Sequence, residues 1–358
     1  MKLVVQVPCL NEEETLPAVL GTIPRHIEGI DVIEVVVIDD GSTDRTVEVA
    51  RAHGVDHVVH HTRNMGLARS FRDGVDHALS VGADIVVNTD GDNQYPQGRI
   101  PDLVAPILAG RADIVIGDRQ TAEIAHFSWF KKRMQAFGSQ VVNRAAGTDL
   151  PDAASGFRAY SRASLMRLNV LTQFSYCMET IIQAGNRRMR IESVPIETNP
   201  KTRESRLFTS IWHHMAASGA AIARSVLMFR PYVLLATLAA IFGVLGLVPF
   251  VRYLVLAITG DAAGHVQSLI FGAAMLAGAF LVVALLVIAD LQRTNRILLE
   301  ETLERTKWLQ YEQLPAAGAP APPMDTAGAP APAMDTAGAP AINSAGAPAP
   351  QGLRATAR

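Results

Sequence analysis

Ile85-Val86-Val87-Asn88-Thr89-Asp90-Gly91-Asp92-Asn93-Gln94 carries the reading that decides the fold. Its first five residues form a short, mostly apolar, β-branched run of the strand type, and the next five are a polar turn. Similar runs stand at Leu3 to Val7, Ile33 to Ile38, Val55 to His60 and Ile114 to Gly117, with helical patterns between them. Strands that alternate with helices predict an α/β domain with a mainly parallel sheet. In such sheets ligands gather beyond the carboxyl ends of the strands, so the residues after each run are the candidates for chemistry.

The turn after Thr89 offers two carboxylates, Asp90 and Asp92, and the amide oxygen of Gln94. Hard oxygen donors of this kind suit Mg²⁺ or Mn²⁺, which complete their shell with phosphate and water. Gly91 would let the backbone come close to a ligand. The first strand leads into Pro8-Cys9-Leu10-Asn11-Glu12-Glu13-Glu14, which has no glycine-rich phosphate turn, so hydride chemistry on a dinucleotide is excluded. The second leads into Asp39-Asp40-Gly41-Ser42-Thr43-Asp44. There Ser42 or Thr43 is placed to cap the next helix, and the carboxylates to accept from a base or ribose. The pair His60-His61 lies on a strand, where neighbours point to opposite faces, so it is not expected to share an ion.

Working outward, the chain has 358 residues, enough for a catalytic unit plus an appendage, and its composition is unusual. Hydrophobic residues make up 49% and charged residues only 18%, with a mean hydropathy of +0.19. The excess falls in two uncharged runs, Tyr232 to Val251 and Val266 to Ala289, each close to the roughly 20 residues that cross a bilayer. Arg224 and Arg230 precede the first run, and Arg293, Arg296, Arg305 and Lys307 follow the second. The link around Asp261 has no Lys or Arg, which predicts cytoplasmic ends and an external hairpin loop, with Arg252 the one dissenting charge.

The net charge of -2 argues against a nucleic-acid binder. Between Lys131 and Arg206, however, basic residues outnumber acids by about two to one, which suggests either an anionic ligand or solvated helix faces. The only cysteines, Cys9 and Cys177, are expected to be buried thiols in a reducing compartment.

Taken together, Pro8/Asn11/Glu12, Asp39-Asp40-Gly41-Ser42, Asn64-Met65-Gly66, Asp90-Gly91-Asp92-Asn93-Gln94 and Asp152-Ala153-Ala154-Ser155-Gly156-Phe157-Arg158 resemble the family 2 inverting glycosyltransferases. Within that family they are most similar to the polyprenyl-phosphate glycosyltransferases and dolichyl-phosphate mannose synthases. The resemblance covers Met1 to about Arg230 and continues into the two apolar runs. It implies a GT-A catalytic domain, Rossmann-like, that moves one sugar from a UDP- or GDP-linked donor to a polyprenyl phosphate.

By this resemblance Pro8, Leu10, Glu12, Asp39, Asp40, Asp90 and Gly91 would line the donor pocket, and Asp90, Asp92 and Gln94 would hold Mg²⁺ or Mn²⁺. Arg119 would stand near the phosphates, and Lys132, Arg133, Ser155 and Arg158 beside the acceptor phosphate. Arg203-Glu204-Ser205-Arg206 resembles a Gly-Glu-Ser-Lys loop of the family with two arginines exchanged in, which adds Arg203 and Arg206 to the donor side. Asp152 would orient the acceptor, serve as a nominal base or anchor its own turn. A processive polysaccharide synthase shares this core, but the Gln-x-x-Arg-Trp motif similar to that class is missing; a silent membrane scaffold is the remaining rival.

The expected organisation is a catalytic domain over 1–206, amphipathic juxtamembrane helices over 207–230 and spans over 231–254 and 265–289. A charged cytoplasmic helix over 290–314, open to a subunit contact and so to a homo-oligomer, and a Pro/Ala-rich disordered tail over 315–358 complete it. The location implied is the inner or plasma membrane, with the catalytic domain in the cytoplasm and in contact with the bilayer.

Overall fold

The computed structural model describes residues 1–120, 129–170, 176–199, 231–260 and 264–312. The expected amphipathic segment 207–230 and the tail lie outside them. Seven strands form one sheet: β1 (Lys2–Cys9), β2 (Val32–Asp39), β3 (His57–His60), β4 (Ile85–Asn88), β5 (Ile114–Asp118), β6 (Arg158–Ser161) and β7 (Ile191–Pro195). Their order is β3-β2-β1-β4-β6-β5-β7. All neighbours pair in parallel except β6, which runs antiparallel to both β4 and β5. The sheet is therefore mixed, and β6 and β7 add two strands to the five expected.

Helices cover both faces, and the pleat divides the side chains between them. Leu3, Val5 and Val7 of β1 join Val35, Val37, Ile85 and Val87 on one side, whereas Val4 joins Val36, Ile38 and Val86 on the other. Because both faces are buried, these strands read as continuous apolar runs rather than alternating ones. The first face is covered by α1 (Leu16–Thr22), α2 (Thr46–Ala52) and α4 (Ile100–Leu108). The second carries α3 (Leu67–Ser80), α5 (Trp129–Ala146), α6 (Arg162–Arg167) and α7 (Tyr176–Asn186).

Two long helices follow, α8 (Pro231–Thr259) and α9 (Val266–Glu312), both long and apolar enough to cross a membrane. Most of their large apolar side chains are exposed, unlike those of a buried core helix. The second span and the charged helix expected after it form one continuous helix of 47 residues. No proline or glycine separates Ala289 from Leu291, so nothing in the backbone ends the helix there.

Candidate active site

The acidic turn leaves β4 at the centre of the sheet, flanked by the end of β1 and the start of β6. Beneath it lies a line of buried polar groups. Gln6 donates to the Asn88 side-chain oxygen at 2.9 Å, and Asn88 donates to the Gly156 carbonyl at 2.9 Å and to the Tyr176 hydroxyl at 2.7 Å. The Tyr95 hydroxyl accepts from the Gly156 amide at 2.9 Å. These bonds suspend the Asp152–Phe157 loop against the turn, while Gln6 Oε1 and Ser155 Oγ are buried with no hydrogen-bond partner among the described residues.

Asp90 points at that loop: a β-carbon on Gly156 would lie 3.3 and 3.4 Å from its two oxygens. Among the described residues neither oxygen accepts a hydrogen bond. Burial, and after it the charge of Asp92, pushes the Asp90 carboxyl up to about 7, with Arg119 and Arg158 pulling the other way. A proton-seeking carboxylate beside a second carboxylate fits a divalent cation. Among the described residues no group of three or more His, Cys, Asp or Glu could enclose a metal. A pair of carboxylates would suit an ion that takes its remaining ligands from outside the protein.

Asp92 accepts from the Gln94 backbone amide at 3.1 Å and from the Gln94 side-chain nitrogen at 2.6 Å. Gln94 therefore orients Asp92 through its nitrogens. At Gly91 the space a β-carbon would need is filled by the protein's own Cys9 sulfur at 2.8 Å and Glu12 Cγ at 3.3 Å. The close approach there is to Cys9 of β1 and to Glu12 just beyond it. The Thr15 hydroxyl lies 2.7 Å from Glu12 Oε2 and 2.8 Å from the Gly91 carbonyl, joining the two loops. Pro8 is buried at the end of β1, and Leu10 is half-buried on the loop beyond it.

At the neighbouring corner Asp39 is sealed from solvent, with the Ser42 amide at 3.1 Å and His60 Nδ1 at 2.7 Å. The exposed His60 ring stands outside it. Asp40 accepts from the Met65 and Gly66 amides at 2.8 and 2.9 Å and lies 2.8 Å from His61 Nδ1. Its work is to anchor the Asn64–Gly66 turn, which corrects its assignment to the donor pocket. Nor do Ser42 and Thr43 cap α2: they meet Asn11, while Asp44 accepts from the Thr46 amide at 2.9 Å.

Arg119 and Asp152 form a bidentate pair at 2.6 and 3.0 Å. Burial favours the neutral acid, but the guanidinium outweighs it and holds Asp152 below the ordinary carboxylate range. Such a group is a poor base, so Asp152 fixes Arg119, and the base role is corrected. Arg158 and Ser155 are corrected as acceptor-phosphate contacts. The Arg158 guanidinium is fully buried and donates to the carbonyls of Ala153, Ser155 and Cys177 and to the Thr180 hydroxyl. Ser155 is likewise buried, its hydroxyl without a hydrogen-bond partner among the described residues. Arg133 is exposed on α5; the Lys132 side chain, Arg203 and Arg206 lie outside the described residues.

Asn199 went unread in the sequence. Its backbone amide donates to the Gln94 carbonyl at 3.0 Å, and its side chain to the Asn93 and Tyr95 carbonyls at 3.0 and 3.2 Å. The end of the described chain after β7 is thus tied to the acidic turn.

Residues 4–168 match the model of glycosyl transferase family 2. An undecaprenyl-phosphate mannosyltransferase of Micrococcus luteus is 30% identical over 207 residues, which cover 55% of this chain and 83% of that protein. The chain belongs to glycosyl transferase family 2. It is a glycosyltransferase, and an uncharacterised glycosyltransferase of Mycobacterium tuberculosis is 32% identical over 199 residues, 55% of this chain and 85% of that one. The transferase shares its fold with glucosyl-3-phosphoglycerate synthase of Mycobacterium tuberculosis, crystallised with Mn²⁺, UDP-glucose and phosphoglyceric acid. That likeness has a TM-score of 0.50 at 22% identity, over 63% of this chain and 78% of that one.

Proposed function

We propose that this glycosyltransferase moves a single sugar from a nucleoside diphosphate sugar to a polyprenyl phosphate, inverting the anomeric carbon. The observation that carries the reading is the juxtaposition, in one compact unit, of a carboxylate pair at the centre of the sheet edge with two long apolar helices. The relative from Micrococcus luteus, named for transfer to undecaprenyl phosphate, supports the acceptor class.

A lipid phosphate monoester has a second pKa near 6, so at neutral pH it is mostly a dianion and already nucleophilic. Its oxygen forms the new bond to the anomeric carbon as the bond to the donor's diphosphate breaks, and the nucleoside diphosphate leaves with that electron pair. No strong base is needed, which agrees with an Asp152 held ionised by Arg119. Mg²⁺ or Mn²⁺ on Asp90 and Asp92 would supply charge neutralisation for the diphosphate. Arg119 adds a fixed cation, and Asn199 ties the chain that follows β7 to the acidic turn. The catalytic domain and both ends would lie on the cytoplasmic side of the inner or plasma membrane.

The test is incubation of the purified protein with labelled nucleotide sugars and polyprenyl phosphate in vesicles, followed by lipid extraction. A single-sugar, acid-labile lipid is expected. Asp92→Ala and chelation with EDTA should each abolish it while the thermal midpoint holds. Polymer in place of the lipid product, or full activity in EDTA, would oppose the reading.

A further inference from the structure

The second apolar helix does not stop where its apolar run stops. Near their domain-proximal ends α8 and α9 meet through Arg293, whose guanidinium lies 5.9 Å from the centre of the Tyr232 ring. Deeper along the pair a β-carbon on Gly246 would fall 2.8 Å from the Leu276 amide nitrogen, and one on Gly272 3.0 Å from the Gly246 carbonyl. The two backbones are in contact there, the close small-residue packing that holds membrane helices together.

Beyond Arg293 the same helix docks on the catalytic domain. Arg187, just past α7, lies 2.7 Å from Glu300 and 3.4 Å from Glu304, and Arg167 of α6 lies 3.6 Å from Glu304. One turn later Lys307 donates to the Leu168 carbonyl at 2.8 Å, closing the carboxyl end of α6. Another turn on, Tyr311 is buried in the domain core. Its hydroxyl is 3.3 Å from Asp76 of α3, and its carbonyl accepts from Arg162 at 3.2 Å. At 1.5 Å per residue the docked stretch runs from about 10 to about 27 Å beyond Arg293.

We infer that α9 is a rigid strut that fixes the height and facing of the active site above the bilayer, with Arg187 and Lys307 as positioning residues for transfer to a membrane-embedded acceptor. This rests on the lipid-phosphate reading above. A phosphate tied to a membrane-buried chain cannot leave the headgroup layer, so the protein must bring its site to that layer. A loose tether would let the site drift, whereas an unbroken helix packed at both ends holds it, and misplacement of reacting groups by even 1 Å is costly.

The experiment inserts seven helical, alanine-rich residues after Thr294 in the full-length protein. Seven residues make two turns, so the docking face keeps its direction within about 20° while the domain rises by about 10 Å. Transfer is measured to long-chain polyprenyl phosphate in phosphatidylglycerol-containing vesicles and to a water-soluble short-chain prenyl phosphate. The vesicle reaction should fall about tenfold or more, and the soluble one should stay within about twofold.

A second variant, Arg187→Glu, should weaken the vesicle reaction alone, and adding Glu300→Arg with Glu304→Arg should restore it. Equal loss with both acceptors, or loss with neither, overturns the strut while the acceptor reading stands. An unmodified protein that uses neither prenyl phosphate overturns the acceptor reading and the strut with it.

Discussion

A β-carbon on Gly91 would sit 2.8 Å from the Cys9 sulfur, closer than such carbons are tolerated, so one methyl group tests how the acidic turn is held. Gly91→Ala should cost about 1–3 kcal/mol of stability through overpacking. It should also raise the Mn²⁺ concentration needed for half-maximal transfer, because the flanking Asp90 and Asp92 shift with it. Cys9→Ala removes the sulfur, so the double variant should recover most of the thermal midpoint; a double variant no better than Gly91→Ala would show that the sulfur is not the obstacle. The carboxylates themselves were legible in the sequence, because charge after an apolar strand has few structural uses. Thr15, Asn88, Tyr95 and Asn199 were not, because each acts through partners between 61 and 106 positions away, and no spacing rule reaches that far.

At the scale of elements, five parallel strands were readable from apolar runs, whereas β6 and β7 were hidden by their polar content. β6 starts with Arg158, whose charge looks like a ligand contact until four oxygen acceptors are seen around it. β7 is half-exposed and carries Glu192, so its apolar signal is weak. The sequence of the docked end of α9 predicts a charged helix open to a subunit contact, and its carboxylates give no hint of Arg187. That interface also carries a pH dependence.

Asp76 faces Lys307 and Tyr311 from α9 and Arg72 and Asp73 from its own helix, and its carboxyl is raised from the ordinary 3.8 by burial, which Lys307 only partly opposes. Unfolded Asp76 ionises near its ordinary value and folded Asp76 at higher pH, so in between the folded state binds the extra proton. The stability it contributes at low pH is lost as pH rises. Asp76→Asn keeps an acceptor for Tyr311 and removes the titration. Its thermal midpoint should exceed the parent's by roughly 2 °C or more at about pH 8 and match it at about pH 4. A gain that is equal at both pH values would assign the effect to something other than Asp76 ionisation.

For the whole molecule, the division between a polar catalytic unit and an apolar pair of helices turns on which side of the membrane each end lies. The strut makes one demand: its docked stretch and the catalytic domain must share a side, because Arg187, Lys307 and Tyr311 join them. The flanking arginines predict that this side is the cytoplasm, and a hairpin would then leave the link between α8 and α9 outside. The chain is well suited to a thiol test. Its two native cysteines are buried, and burial raises both thiols, so neither offers much reactive thiolate. Gly264→Cys places a thiol on the exposed link, and Thr302→Cys places one on the exposed face of the strut. In intact cells a membrane-impermeant maleimide should label the first at once and the second only after permeabilisation. Labelling of Thr302→Cys from outside would invert the whole arrangement, and with it the access of a cytoplasmic nucleotide sugar to Asp90 and Asp92.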